Sequence, residues 1–142
     1  MCRIMLLTLL PVFFAACTEK QSMEPNKVRI VNLCESFMQN FRDTKLLAAM
    51  DILKNNSIIS SESIESLYNH IISQEGIFRR YGNALSHDFI EEKHVTDFLA
   101  KRYYVLRFEN YYSIFQFTIY KTNKGWRITH FKFDDELGEV LK

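Results

Sequence analysis

Apolar positions recur at offsets of three and four through Ile30, Leu33, Cys34, Phe37 and Phe41, which predicts a helix with one apolar face. Asp43-Thr44 offers a break, and Leu46, Leu47, Met50 and Leu53 then predict a second, short helix ending at Asn55-Asn56. Ser60 or Ser61 is placed to cap a third helix, with Glu62 and Glu65 in its first turns, where the dipole favours acids. Its apolar face is Ile64, Leu67, Tyr68, Ile71 and Ile72, with Gly76 as the expected stop. Beyond Gly76 the period shortens to two. Segments 95–109, 111–121 and 126–133 are rich in aromatic and β-branched residues, and Phe115-Gln116-Phe117-Thr118-Ile119 alternates cleanly. Turns are expected at Glu109-Asn110 and at Thr122-Asn123-Lys124-Gly125, so the last two strands form a hairpin, and a further strand is expected within 78–92. Helices first and a meander afterwards predict an α+β domain with its N-terminal helices packed on an antiparallel sheet.

The first residues follow a different logic. Arg3 is the only charge in MCRIMLLTLLPVFFAAC, and Ile4 to Phe14 form an apolar run. As helix that run reaches about 16 Å, half a hydrocarbon core, so it reads as a secretory signal rather than a permanent span. Phe14-Ala15-Ala16-Cys17 resembles the lipobox of bacterial lipoproteins, with Phe14 where Leu is usual. The resemblance implies cleavage after residue 16 and acylation of Cys17 with fatty chains such as palmitate. Several such chains anchor stably, at about 0.8 kcal/mol for each buried methylene. The expected organisation is a signal peptide over 1–16, a lipidated tether over 17–27 containing Pro25, and one globular domain over 28–142. The expected address is the bacterial cell envelope, outside the cytoplasm. Cys2 leaves with the signal, so Cys34 stands alone and reads as a buried thiol.

With 142 residues, 47% apolar and 14% aromatic, the chain suffices for one core. Without Arg3 the 17 remaining Lys and Arg equal the 17 Asp and Glu, so no global field steers the protein onto nucleic acid, and no nucleic-acid partner is expected. Arg79-Arg80 and Lys101-Arg102 are short basic pairs only.

The run 104–109, Phe115-Gln116-Phe117, Tyr120 to Ile128 with its Gly125-Trp126-Arg127 step, and Phe131-Lys132-Phe133 resemble the tail of small secreted proteins of the nuclear-transport-factor-2-like, or cystatin-like, superfamily. The resemblance covers roughly 28–135 and implies a strongly curved sheet cradling the helices. That fold hosts enzymes, binders and scaffolds alike.

Phosphate loops, nucleophile elbows, zinc-protease helices and paired-cysteine sites are absent from the sequence, and neither a cofactor nor a metal is expected. His87-Asp88-Phe89-Ile90-Glu91-Glu92-Lys93-His94 gathers metal-capable side chains, but Lys93 sits among them and a solvated strand edge explains the pattern more simply. Enzymes of the resembling superfamily imply a base and a phenol in an aromatic cone, and no residue here matches a catalytic position of theirs. The expectation is a non-catalytic, lipid-anchored envelope module for a small apolar ligand or an envelope protein. Its competitors are an isomerase- or cyclase-type enzyme and an exclusion or immunity lipoprotein. The expected contact residues are Tyr103, Tyr104, Tyr111, Tyr112 and Tyr120, because Tyr joins apolar area to a polar tip.

Overall fold

The computed structural model describes residues 23–140. The signal segment 1–16 and Cys17 lie outside the described residues. Four helices, α1 (Pro25–Arg42), α2 (Leu46–Asn56), α3 (Ser61–Ser73) and α4 (Glu75–Tyr81), precede four strands, β1 (Ala84–Thr96), β2 (Leu99–Phe108), β3 (Tyr112–Thr122) and β4 (Gly125–Asp134). The strands pair antiparallel in the order β1-β2-β3-β4, and a 3₁₀ turn at Leu137–Glu139 follows. The α+β class is therefore as the pattern predicted. Among the described residues no helix is long and apolar enough to cross a membrane.

Pro25 opens α1, where a missing N–H costs nothing, so the helix begins inside the segment read as tether. Asn26 Oδ1 accepts from Trp126 N, and Glu24 pairs with Lys121 at 2.5 Å, which ties this end of α1 to the β3–β4 turn. Asp43 and Thr44 end the helix, Thr44 adopting a φ of 59° that few β-branched residues tolerate. Ser60 caps α3 by accepting from Ser63 N at 3.2 Å. Gly76 does not stop that helix. Gln74 does: its N–H bonds back to His70 and Ile71, and its carbonyl receives Ile77 and Phe78 to start α4. The glycine that terminates a helix is Gly82, at φ 85°.

The core lies between α1 and the concave sheet face. Ile30, Cys34, Phe37 and Met38 of α1 meet Ala100, Tyr104 and Leu106 of β2, Phe115, Phe117 and Ile119 of β3, and Trp126, Ile128 and Phe131 of β4. Phe37 contacts Phe117 edge-on at 5.3 Å and Phe131 at 4.8 Å, and Phe41 meets Phe115 at 4.9 Å. The concave face is thus filled largely with phenylalanine. The α2 residues Ala49, Met50 and Leu53 complete the layer, and Ile58 N donates to Ile128 O to cover the β4 edge.

Strand β1 departs most from expectation. It starts at Ala84 and runs to Thr96, taking Val95 from the strand that follows. Its register against β2 shifts at Leu85, Ile90 and Val95. In an unbroken strand Phe89 and Glu92 would point to opposite faces. The extra residue at Ile90 turns both inward, where they oppose Tyr104 and Arg102.

Candidate functional site

Two constellations stand out: a polar array that is buried at Lys27, Glu92 and Arg102 and reaches the surface at Glu35 and His94, and a pair of clefts at one end of the domain. The array is built on the inner face where α1, β1 and β2 meet. Glu92 Oε1 lies 2.5 Å from Lys27 Nζ and 2.9 Å from His94 Nε2, while its Oε2 lies 2.5 Å from Arg102 Nη1. Arg102 also donates to the Tyr104 hydroxyl at 3.1 Å, and that hydroxyl donates to Glu35 Oε1 at 2.8 Å. The Phe89 ring covers the guanidinium at 4.4 Å. His87 Nε2 stands 3.7 Å from Glu35 Oε2, and its buried Nδ1 has no hydrogen-bond partner among the described residues.

The electrostatics are those of a structural network. Burial pushes the Glu92 carboxyl up, but the hydrogen bonds from Lys27 and Arg102 outweigh it and hold the group below the ordinary range. Burial likewise works against the Arg102 charge, and Tyr104 and Glu92 reverse the effect, so Arg102 is raised. Burial carries the Tyr104 phenol far above the usual range. Cys34, beneath the array, is fully buried, and desolvation pushes its thiol up to about 12. Glu92, Arg102, Tyr104 and Cys34 are thus each shifted away from neutrality.

This array escaped the sequence reading. By pattern Glu92 belongs to a solvated edge and Arg102 to a short basic pair, yet their side chains are 11% and 6% exposed. The metal-capable run is likewise divided, His87, Glu92 and His94 turning inward while Asp88, Glu91 and Lys93 oppose the other face of β2. Among the described residues no group of three or more His, Cys, Asp or Glu is placed to hold a metal ion.

The clefts lie at the other end, where α1 finishes and β1 starts. The larger, of about 620 Å³, is lined by Phe41, Leu46, Ile71, Ile72, Phe78 and Phe108, with Arg42, Arg79 and Glu109 among its polar residues. Its charges are engaged: Arg42 with Asp43 and Arg79 with Glu75, each at 2.8 Å, and Glu109 with Asn83 N and Nδ2. Those two hydrogen bonds hold the Glu109 carboxyl below its ordinary range. The smaller cleft, of about 270 Å³, lies across Phe78, between α3–α4 and the β3–β4 end of the sheet.

The five expected contact tyrosines do not form one surface. Tyr104 is fully buried in the array, and Tyr103, 2% exposed, lies on the opposite sheet face beside Ile114, Gln116 and Glu136. Neither is an exposed contact residue, because adjacent strand positions in this sheet are covered on both sides. Tyr120 packs edge-on against Phe98 near the β1–β2 turn. Only Tyr111 and Tyr112, stacked at 5.1 Å, reach the cleft end, where both hydroxyls donate to Asp135.

Compared with known proteins, the chain matches no family model, no curated protein and no solved structure.

Proposed function

We infer that this chain is a lipid-anchored, extracytoplasmic binding module of non-catalytic type, whose larger cleft takes a small apolar ligand. The observation that carries this reading is the separation of chemistry from space. The open volume of about 620 Å³ is walled by Phe41, Leu46, Ile71, Ile72, Phe78 and Phe108. Lys27, Glu92 and Arg102 instead lock one another in an array that does not line it, and the charges that do, Arg42, Glu75, Arg79 and Glu109, are engaged with Asp43, one another and Asn83. Volume and lining match those of small-molecule sites, which are mostly apolar with a few polar groups at the rim. The helices-then-meander order, the curved sheet and the Gly125-Trp126 opening of β4 support placing the domain in the nuclear-transport-factor-2-like class. Anchoring rests on the Ala15-Ala16-Cys17 order and the apolar run before it.

The test is direct. N-phenyl-1-naphthylamine, a neutral apolar fluorophore, brightens on entering the cleft, and Ile72→Glu at its exposed lip weakens that binding at least tenfold. Equal binding by both proteins, or none by either, rejects the cleft. For the anchor, intact mass of membrane-extracted protein shows acyl chains on Cys17, lost with Cys17→Ser. A full-length, unacylated chain in the cytosol rejects it.

A further inference from the structure

We propose that the smaller cleft is a separate site for an organic cation, an ammonium head group on a short stem. The observation is independent of the larger cleft. The space, about 270 Å³, is lined by Phe78, Tyr81 and Phe133 with His70, Gln74, Ile77, Ser113, Asp134 and Asp135. Its size, below the roughly 300–1,000 Å³ of drug-sized sites, suits a head group rather than a large molecule. Phe78 and Tyr81 stand perpendicular at 6.1 Å, and Phe133 lies 6.1 Å from Phe78. Three aromatic residues therefore line one small volume, Phe133 backed by Phe115 and Tyr81 by Tyr111, and aromatic rings attract a cation through their quadrupole.

Charge decides the sign of the occupant. Asp134 Oδ2 lies 3.3 Å from Lys132 Nζ, and its Oδ1 accepts from Glu136 N. Among the described residues Asp135 Oδ2 accepts only from the neutral Tyr111 hydroxyl, at 3.2 Å, and no lysine or arginine pairs with it. The hydrogen bond to Asp135 raises the Tyr111 phenol above its ordinary range. Anions are repelled here, and a neutral ligand leaves the carboxylate without a counter-charge. A cation meets both the rings and Asp135. The larger cleft offers no such carboxylate among its rim ion pairs, since Glu75 is taken by Arg79 and Glu109 by Asn83. The stacked pair Tyr111–Tyr112, holding Asp135 through side chain and backbone, keeps the acid at the rim without adding charge.

The experiment compares choline with 3,3-dimethyl-1-butanol, its uncharged counterpart of nearly equal shape, by NMR titration of the folded protein. The expected result is saturable movement of the Tyr81, Ser113 and Phe133 amides by choline, with the neutral alcohol at least tenfold weaker. Asp135→Asn, at an exposed position, reduces choline affinity at least tenfold and leaves the melting temperature unchanged. Tyr81→Leu, which keeps apolar volume and removes the ring, weakens choline severalfold. Equal binding of the two compounds, unaltered affinity in Asp135→Asn, or no titration by choline into the millimolar range each overturns the proposal. Naphthylamine binding in the larger cleft is read separately, so failure of one site is distinguishable from failure of the other.

Discussion

Glu92 and Arg102 face each other directly across the β1–β2 ladder, with Nη1 2.5 Å from Oε2 and Lys27 closing on the other carboxylate oxygen. One carboxylate thus serves two buried cations. Removing it leaves both without compensation, a loss larger than the net worth of the pair. Glu92→Gln is expected to cost about 3 kcal/mol in urea unfolding. Replacing all three together, Lys27→Met, Glu92→Leu and Arg102→Met, costs less than the single change. A triple variant weaker than Glu92→Gln would show that the ions stabilise the fold outright.

The same carboxylate sets a pH dependence. Its folded pKa is depressed below the ordinary 4.5, so its contribution is fully present above that value and is lost as pH falls through the folded pKa. Unfolding free energy measured from pH 7 downward is expected to fall in the acid range, and less steeply in Glu92→Gln. Identical slopes would assign acid sensitivity to other carboxylates.

Gly82 and Gly76 make an internal comparison. A Cβ at Gly82 would strike the Glu109 side chain, and the φ of 85° disfavours any L side chain. Gly82→Ala is expected to destabilise by about 2 kcal/mol. Gly76 sits within α4 with nothing within 4 Å of an added Cβ, so Gly76→Ala is expected to stabilise by up to about 1 kcal/mol. Thermal melts of the two variants moving in opposite directions verify the assignment.

Cys34 has no solvent exposure and a thiol raised by desolvation. Alkylation followed by peptide mass analysis should leave it unmodified in the native protein and fully modified in urea. Cys34→Ser, which buries a hydroxyl there, should cost about 2 kcal/mol. Native labelling at the rate of a free thiol would contradict the burial.

The parts of this fold that were readable from sequence were those with an unbroken period. Helix α1 shows its apolar stripe because Ile30, Cys34, Phe37 and Met38 are buried along one face of it, and β3 alternates because both its neighbours hold register with it almost throughout. Strand β1 was blurred by its three register shifts, which scatter inward residues over positions 87, 89, 92 and 94 and erase the period of two. Its turn into β2, Asp97-Phe98, carries neither glycine nor proline, so nothing separated Val95 from the next strand. Helix α4 has no buried residue and therefore no stripe to read. The array was hidden for a further reason: Glu92 and Arg102 are ten positions apart, and only the pairing of two strands, with Lys27 arriving from α1, tells a buried ion pair from solvated charge. Of the five expected contact tyrosines only Tyr111 and Tyr112 lie at the cleft end, since composition does not say which side of a strand is covered.

The long first helix also acts as a spacer. Its opening residues are fastened beside the β3–β4 turn through Asn26 and Glu24, and its last turn supplies Phe41 and Arg42 to the larger cleft about 27 Å away. Anything joined to the chain ahead of Pro25 therefore meets the domain at its hairpin end, with the length of α1 between it and both openings.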